Sequence, residues 1–270
     1  VKIALIDNGS LESAAHEGLR AAAAEIGRLA DIHVEAVSWK HSDHIPSYAI
    51  ADGPALTLAP WVRDQVAAGE SEFVFIPFFI SPQGAIGSSL RRDLDALQRE
   101  TAGFEYSFAE GLTAGTLGAV VADRVRESAA AAMLDRPRVI VVDHGGPSPA
   151  SAAVRNEVAD AARSELGAEV GLLSAASMES PDGPEFEFNQ PLLSDALRAP
   201  GMGPGAVIVA PLFLSPGRHA GPGGDLARIA REAQAPGMRC IFTGLVGTHP
   251  LAFEELASSL KRMLNVGAHP

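Results

Sequence analysis

Residues 73–82 read FVFIPFFISP and residues 207–216 read VIVAPLFLSP. Proline, phenylalanine, serine and proline coincide, and every other position is apolar in both. Two further matches flank this one in the same order. ALIDNGS (4–10) runs parallel to IVVDHGG (140–146), and Asp93-Leu94 to Asp225-Leu226. Three matches in one order, at nearly constant spacing, describe a chain written twice, and such a repeat constrains the fold more than any single motif. The halves divide at 135/136, where Pro137 follows Asp135-Arg136 and ends the preceding helical pattern.

Each half alternates short apolar runs with amphipathic ones. The first predicts strands near 2–7, 32–38, 72–79 and 104–109, with helices near 12–30, 57–69, 87–100 and 116–133. The second predicts strands near 138–143, 168–174, 205–213 and 238–244, with helices near 151–166, 190–199, 223–234 and 249–264. Continuous apolar strands separated by helices imply an α/β chain with parallel sheets covered on both faces. Two lobes of one domain each are expected, 1–135 and 136–270.

The composition narrows the chemistry. A net charge of −12 offers no basic face for nucleic acid. The single cysteine, Cys240, rules out an internal disulfide and a cysteine-based metal cluster. The chain opens directly as a strand, without a leader-like segment, and has no apolar run of the ~18–20 residues a membrane span needs. A cytoplasmic protein is the expectation. The duplication supplies the pseudo-two-fold pairing that a one-lobe protein gains by dimerising, so a monomer is expected.

In open parallel sheets ligands sit beyond the carboxyl ends of the strands. In the second half those segments are Asp143 to Gly146, Ser174 to Glu179, Ser215 to His219, and Thr243 onward. Two carry a histidine and a third carries a glutamate. Singly, His144 or His219 reads best as a solvated or hydrogen-bonded loop residue. Together at the strand ends of one sheet, with Glu179, they suit a borderline divalent metal such as Co²⁺, Fe²⁺ or Ni²⁺. Without a further His or Cys to close the set, the metal would be held openly rather than caged. The glycine-rich stretch Gly221 to Gly224 could offer N–H groups to an anion, but a plain loop-to-helix entry is the simpler reading.

At these residues the sequence resembles the class II chelatases, in particular the CbiX-type sirohydrochlorin chelatases in their long, duplicated form. The matching segments are VVDHGGPSPA from Val141, APLFLSPGRHAGPGGDL (210–226) and AASMESPDGPEFEFNQPLL (175–193). The resemblance implies two similar α/β lobes facing each other across a cleft, and insertion of Co²⁺ or Fe²⁺ into the tetrapyrrole sirohydrochlorin for cobalamin or siroheme synthesis. It implies that His144 and His219 are the paired active-site histidines and metal ligands. Glu179 becomes the acidic catalytic residue, with Glu185 and Glu187 nearby as alternatives. No organic cofactor is implied; the metal is a substrate. Gly145, Ser215, Gly217 and Arg218 become candidates for holding the substrate, and Arg155 is a second cation for its carboxylates.

The first half departs from this pattern. Asn8 stands where His144 stands, Ala85 where His219 stands, and Lys40 opposite Glu179. Its role is then structural and substrate-holding, although His41 and His44 could serve as ligands if their loop were helical. Three other readings compete: a carrier of tetrapyrrole or metal, a paralogue without chemistry, and a metal-dependent hydrolase. The last needs a firmly held metal.

Overall fold

The computed structural model describes residues 1–81, 85–221 and 223–266. Pro82, at the end of the first repeat match, and Pro222, inside the glycine-rich stretch, lie outside the described residues. Two parallel sheets form. One contains β1 (Lys2–Asp7), β2 (Glu35–Ser38), β3 (Leu56–Thr57), β4 (Glu72–Pro77) and β5 (Glu105–Phe108), in the order β3-β2-β1-β4-β5. The other contains β6 (Arg138–Asp143), β7 (Leu172–Ser177), β8 (Gly205–Pro211) and β9 (Met238–Phe242), in the order β7-β6-β8-β9.

The helices are α1 (Ser13–Ala30), α2 (Leu58–Ala67), α3 (Ala85–Glu100), α4 (Ala114–Ala131), α5 (Pro149–Leu166), α6 (Leu193–Arg198), α7 (Asp225–Ala233) and α8 (Pro250–Val266). Pro149 opens α5 at a position where its missing N–H costs nothing. Thr113 caps α4 by accepting the Thr116 N–H at 3.1 Å. Among the described residues no helix is long and apolar enough to cross a membrane.

Two elements depart from the sequence expectation. β7 lies later than 168–174, because Gly167–Glu169 forms a short 3₁₀ turn and the strand proper, LLSAAS, is built largely of small residues with little strand signal. The two-residue β3 at the edge of the first sheet was not expected.

The compact units do not follow the repeat boundary at 135/136. One unit is Val1–Leu112 with the chain from Pro250 onward, and the other is Thr113–His249. Thus α4, written at the end of the first half, packs on α5 in the second unit, and α8 packs on α1 in the first.

Each sheet buries its central strands on both faces. Ile140, Val142, Val207 and Val209 are fully buried in the second unit, as are Ala4, Ile6 and Phe75 in the first. The first unit adds an aromatic cluster, with Phe73 meeting Trp61 at 5.6 Å and Phe104 at 5.4 Å between ring centroids. Burial of one such side chain stabilises by about 1.5–3 kcal/mol.

The repeat extends to individual hydrogen bonds beyond the strand ends. Trp39 N–H donates to Asp7 O at 2.8 Å, as Met178 N–H donates to Asp143 O at 2.8 Å. Lys40 N–H donates to Asn8 O at 3.2 Å, as Glu179 N–H donates to His144 O at 3.1 Å. Asn8 therefore stands in the place of His144, and Lys40 in that of Glu179.

Candidate functional site

His144 follows the last residue of β6, and a buried ionic cluster fixes that strand end. The Ser177 hydroxyl donates to Asp143 Oδ1 at 2.7 Å, and the Arg155 guanidinium donates to the Ser177 hydroxyl and lies 3.7 Å from Asp143 Oδ1. Arg155 is 2% exposed and also donates to the carbonyls of Phe188 at 3.1 Å and Asn189 at 3.4 Å. Burial pushes the Asp143 carboxyl above the ordinary carboxylate range, while the Ser177 hydrogen bond and the Arg155 charge pull it down. Arg155 is thus a buried strut. Its expectation as a cation for substrate carboxylates is corrected, since its donors are already engaged inside the fold.

The turn after His144 requires glycine. Gly145 has φ of 82°, and a Cβ there would lie 1.9 Å from Glu179 O. Only a residue without a side chain lets the His144 loop and the Glu179 loop pass this closely. The Asn189 amide clamps the same turn, accepting from Gly146 N–H at 3.2 Å and donating to Gly146 O at 2.9 Å.

His219 arrives from the loop after β8, which folds back on itself. Gly221 N–H donates to Gly217 O at 2.9 Å, Gly224 N–H to Gly221 O at 2.9 Å, Asp225 N–H to Arg218 O at 3.1 Å and Leu226 N–H to His219 O at 3.1 Å. These N–H groups are already engaged within the loop, so the stretch is an entry to α7 and its reading as an anion cradle is set aside. A Cβ on Gly224 would lie 2.7 Å from Arg218 O, so the loop wraps tightly around the residues that carry His219.

The two imidazoles meet. Their centroids are 4.7 Å apart with the rings nearly perpendicular, and Phe213 lies beside both at 6.4 and 6.5 Å. His144 Nδ1 is 3.0 Å from Gly145 O and 3.6 Å from Glu179 Oε1. His219 Nδ1 is 2.8 Å from Asp225 Oδ2. Since these partners can only accept, each Nδ1 carries the proton in the neutral ring and each Nε2 keeps its lone pair.

Asp225 also meets Arg228 at 3.3 Å and Arg218 at 3.5 Å. The hydrogen bond from His219, then that from Arg228, holds its carboxyl below the usual range. Together these groups line an open cavity of about 540 Å³, with Met178 and Ile229 supplying its apolar wall.

The structure therefore brings together His144, His219, Glu179 and Arg218. Gly145, Ser215 and Gly217 shape the turns behind them and do not line the cavity. Glu185 and Glu187 sit on the 3₁₀ segment Pro184–Asn189, also outside its wall. The sequence reading had given no site role to Asp225, Arg228 or Phe213, although the repeat match of Asp225 with Asp93 marked one of them. Among the described residues no three His, Cys, Asp or Glu side chains converge as a ready-made metal cage.

In the first unit the matching position holds other chemistry. Asp93 accepts from Trp39 Nε1 at 3.1 Å and pairs with Lys40 Nζ at 3.0 Å. Gly9 repeats Gly145, with φ of 85° and a would-be Cβ 1.7 Å from Lys40 O. His41 and His44 are both exposed, at and beside a single 3₁₀ turn, Ser42–His44.

The CbiX family model matches residues 138–263, which hold every residue of this site. Through its second half, the chain is similar to the CbiX family. The CbiX match stops short of the first half, but the fold likeness does not. SirB from Bacillus subtilis with Fe³⁺ superposes with a TM-score of 0.67 at 13% identity, covering 100% of this chain and 98% of that one. The sirohydrochlorin chelatase SirB from Bacillus subtilis subspecies spizizenii in complex with cobalt gives 0.64 at 13%, covering 98% and 96%. CbiX, described as the terminal enzyme for biosynthesis of siroheme in denitrifying bacteria, gives 0.62 at 17%, covering 97% and 99%. At these identities the likeness is one of fold. No curated protein matches the chain in sequence.

Proposed function

We propose that this protein is a sirohydrochlorin chelatase, inserting a divalent ion, cobalt or iron, into the tetrapyrrole at the His144–His219 site. One observation carries the reading: within the region similar to the CbiX family, two imidazoles stand 4.7 Å apart with each Nδ1 facing an acceptor. Their Nε2 lone pairs suit a borderline metal, and two such ligands hold it loosely enough to release. Relatives of this fold are described with Fe³⁺ and with cobalt, and one of them as a sirohydrochlorin chelatase.

Insertion joins a divalent ion to the macrocycle and releases two pyrrole protons. His144 and His219 present the metal through Nε2. As the ring nitrogens take over the metal, the freed imidazole nitrogens accept protons. Glu179, largely exposed and 3.6 Å from His144 Nδ1, passes protons on to solvent. Positioned proton acceptors contribute ~10²–10⁴ in rate, and holding metal and ring in one geometry adds to that. Arg218, 82% exposed at the cavity wall, binds the carboxylates of the macrocycle, and Arg228 assists it.

The test is anaerobic absorbance of sirohydrochlorin with Co²⁺ or Fe²⁺ and purified protein. Acceleration well above the spontaneous rate supports the reading. Tetrapyrrole binding without acceleration by either metal contradicts it and leaves a carrier.

A further inference from the structure

Asp225 lines the cavity, and three cationic or N–H groups converge on its carboxylate. Oδ2 lies 2.8 Å from His219 Nδ1 and 3.5 Å from Arg218 Nε, and Oδ1 lies 3.3 Å from Arg228. The side chain is 22% exposed, so water competes only in part for those oxygens. We propose that Asp225 is a positioning residue that fixes His219 in the Nδ1–H tautomer and so keeps its Nε2 lone pair free for the metal. The proposal rests on the chelatase reading for its purpose, but its geometry is independent of turnover.

A neutral imidazole can carry its proton on either nitrogen, and the hydrogen bond at one of them decides which is bare. Here the acceptor is an anion held by two arginines. Arg228, one turn into α7, takes Oδ1, and that leaves Oδ2 turned to the imidazole. Asp225 is the first residue of α7 and the loop before it is closed by its own hydrogen bonds, so the carboxylate is carried on a rigid element.

The first unit supplies an independent observation. Asp93, the repeat partner of Asp225, also uses one carboxylate oxygen to hold donors from a strand-end loop, there Trp39 Nε1 and Lys40 Nζ. The acid is therefore common to both copies as an acceptor beyond the sheet, and what differs is the side chain delivered to it. In the second unit that side chain is an imidazole whose far nitrogen remains usable. In the first the donors are an indole N–H and an ammonium, neither with a nitrogen lone pair to offer a metal.

Two readouts on the full chain decide the matter, and neither requires insertion of metal into tetrapyrrole. With ¹⁵N-labelled histidine at pH 8.5, metal-free, the His219 ring should show a protonated Nδ1 and an unprotonated Nε2; its signals are assigned by their loss in His219→Gln. Asp225→Leu should move the ring toward the Nε2–H tautomer and weaken Co²⁺ binding, measured by calorimetry, by about 10–100-fold. Asp225→Asn keeps a neutral acceptor and a near-identical shape, and should fall between. An unchanged tautomer in Asp225→Leu, or Co²⁺ affinity equal to wild type in both folded variants, overturns the proposal. Wild-type protein that binds Co²⁺ but inserts none contradicts the chelatase reading instead, and leaves the tautomer result standing.

Discussion

The His144 ring meets the His219 ring edge to face, 4.7 Å between centroids, although 75 residues separate them in the chain. Each is delivered by a different strand of one parallel sheet, β6 and β8, which are neighbours in it. Metal affinity should therefore belong to the pair. Replacing either histidine with alanine is expected to weaken Co²⁺ binding at least tenfold, and replacing the second should add little, because one imidazole alone holds a metal poorly. A double-variant cycle by calorimetry measures this; two equal, additive losses would show that the rings act separately.

Gly145→Ala should fail for a backbone reason. The new Cβ would fall 1.9 Å from Glu179 O, at a φ of 82° that alanine resists. A loss of at least ~2 kcal/mol in urea unfolding is expected, with Co²⁺ binding lost in whatever folds, since the His144 and Glu179 loops must separate.

Arg155→Met distinguishes a strut from a substrate contact. It leaves the buried Asp143 carboxylate without its cation, and breaking such a pair costs about 3–5 kcal/mol. The predicted signature is a lowered urea midpoint. A variant of unchanged stability but raised KM for tetrapyrrole would restore Arg155 to the substrate site.

A buried polar group in the first unit predicts a pH dependence of stability. His16 is 1% exposed, its Nδ1 lies 3.2 Å from the Ser38 hydroxyl, and burial lowers its pKa from 6.5 to about 4. Between pH 6.5 and 4 the unfolded chain takes up this proton and the folded one does not. Its stability contribution is therefore complete above 6.5 and falls as pH drops, by at most about 3 kcal/mol. Asp7 has the opposite sign. Burial raises its pKa from 3.8 to about 6, so its contribution is present at low pH and is lost as pH rises through 6. The wild-type profile should be nearly flat across this window. Asp7→Asn should unmask a fall toward acid and His16→Asn a rise, read from urea midpoints at pH 4.5 and 6.5. Parallel profiles in all three proteins would contradict the assignment.

Much of this was legible because the chain is duplicated. The strands around Asp7, Asp143, Pro77 and Pro211 stand where the repeat put them, since apolar run and turn coincide in both copies. His144 and His219 were legible from their places after strands, without any contact being visible. What escaped has physical causes. β7 is built of Leu, Ser and Ala, which carry little strand signal, so its end was placed early. The packing of α4 on α5 and of α8 on α1 leaves no trace in helical periodicity, because an apolar face does not name the sheet it covers. Arg155 looked like a surface cation because nothing local in the sequence reveals that Asp143 and Ser177 close around it. Asp225 was visible only as a repeated letter, since a helix-opening aspartate usually serves the helix alone.

The most direct test of the central claim is anaerobic absorbance of sirohydrochlorin with Co²⁺ or Fe²⁺, wild type beside the His144→Ala/His219→Ala double variant, with circular dichroism to establish that both are folded. The account predicts that wild type speeds metal insertion and that the folded double variant falls to the spontaneous rate. A folded double variant as fast as wild type would contradict it.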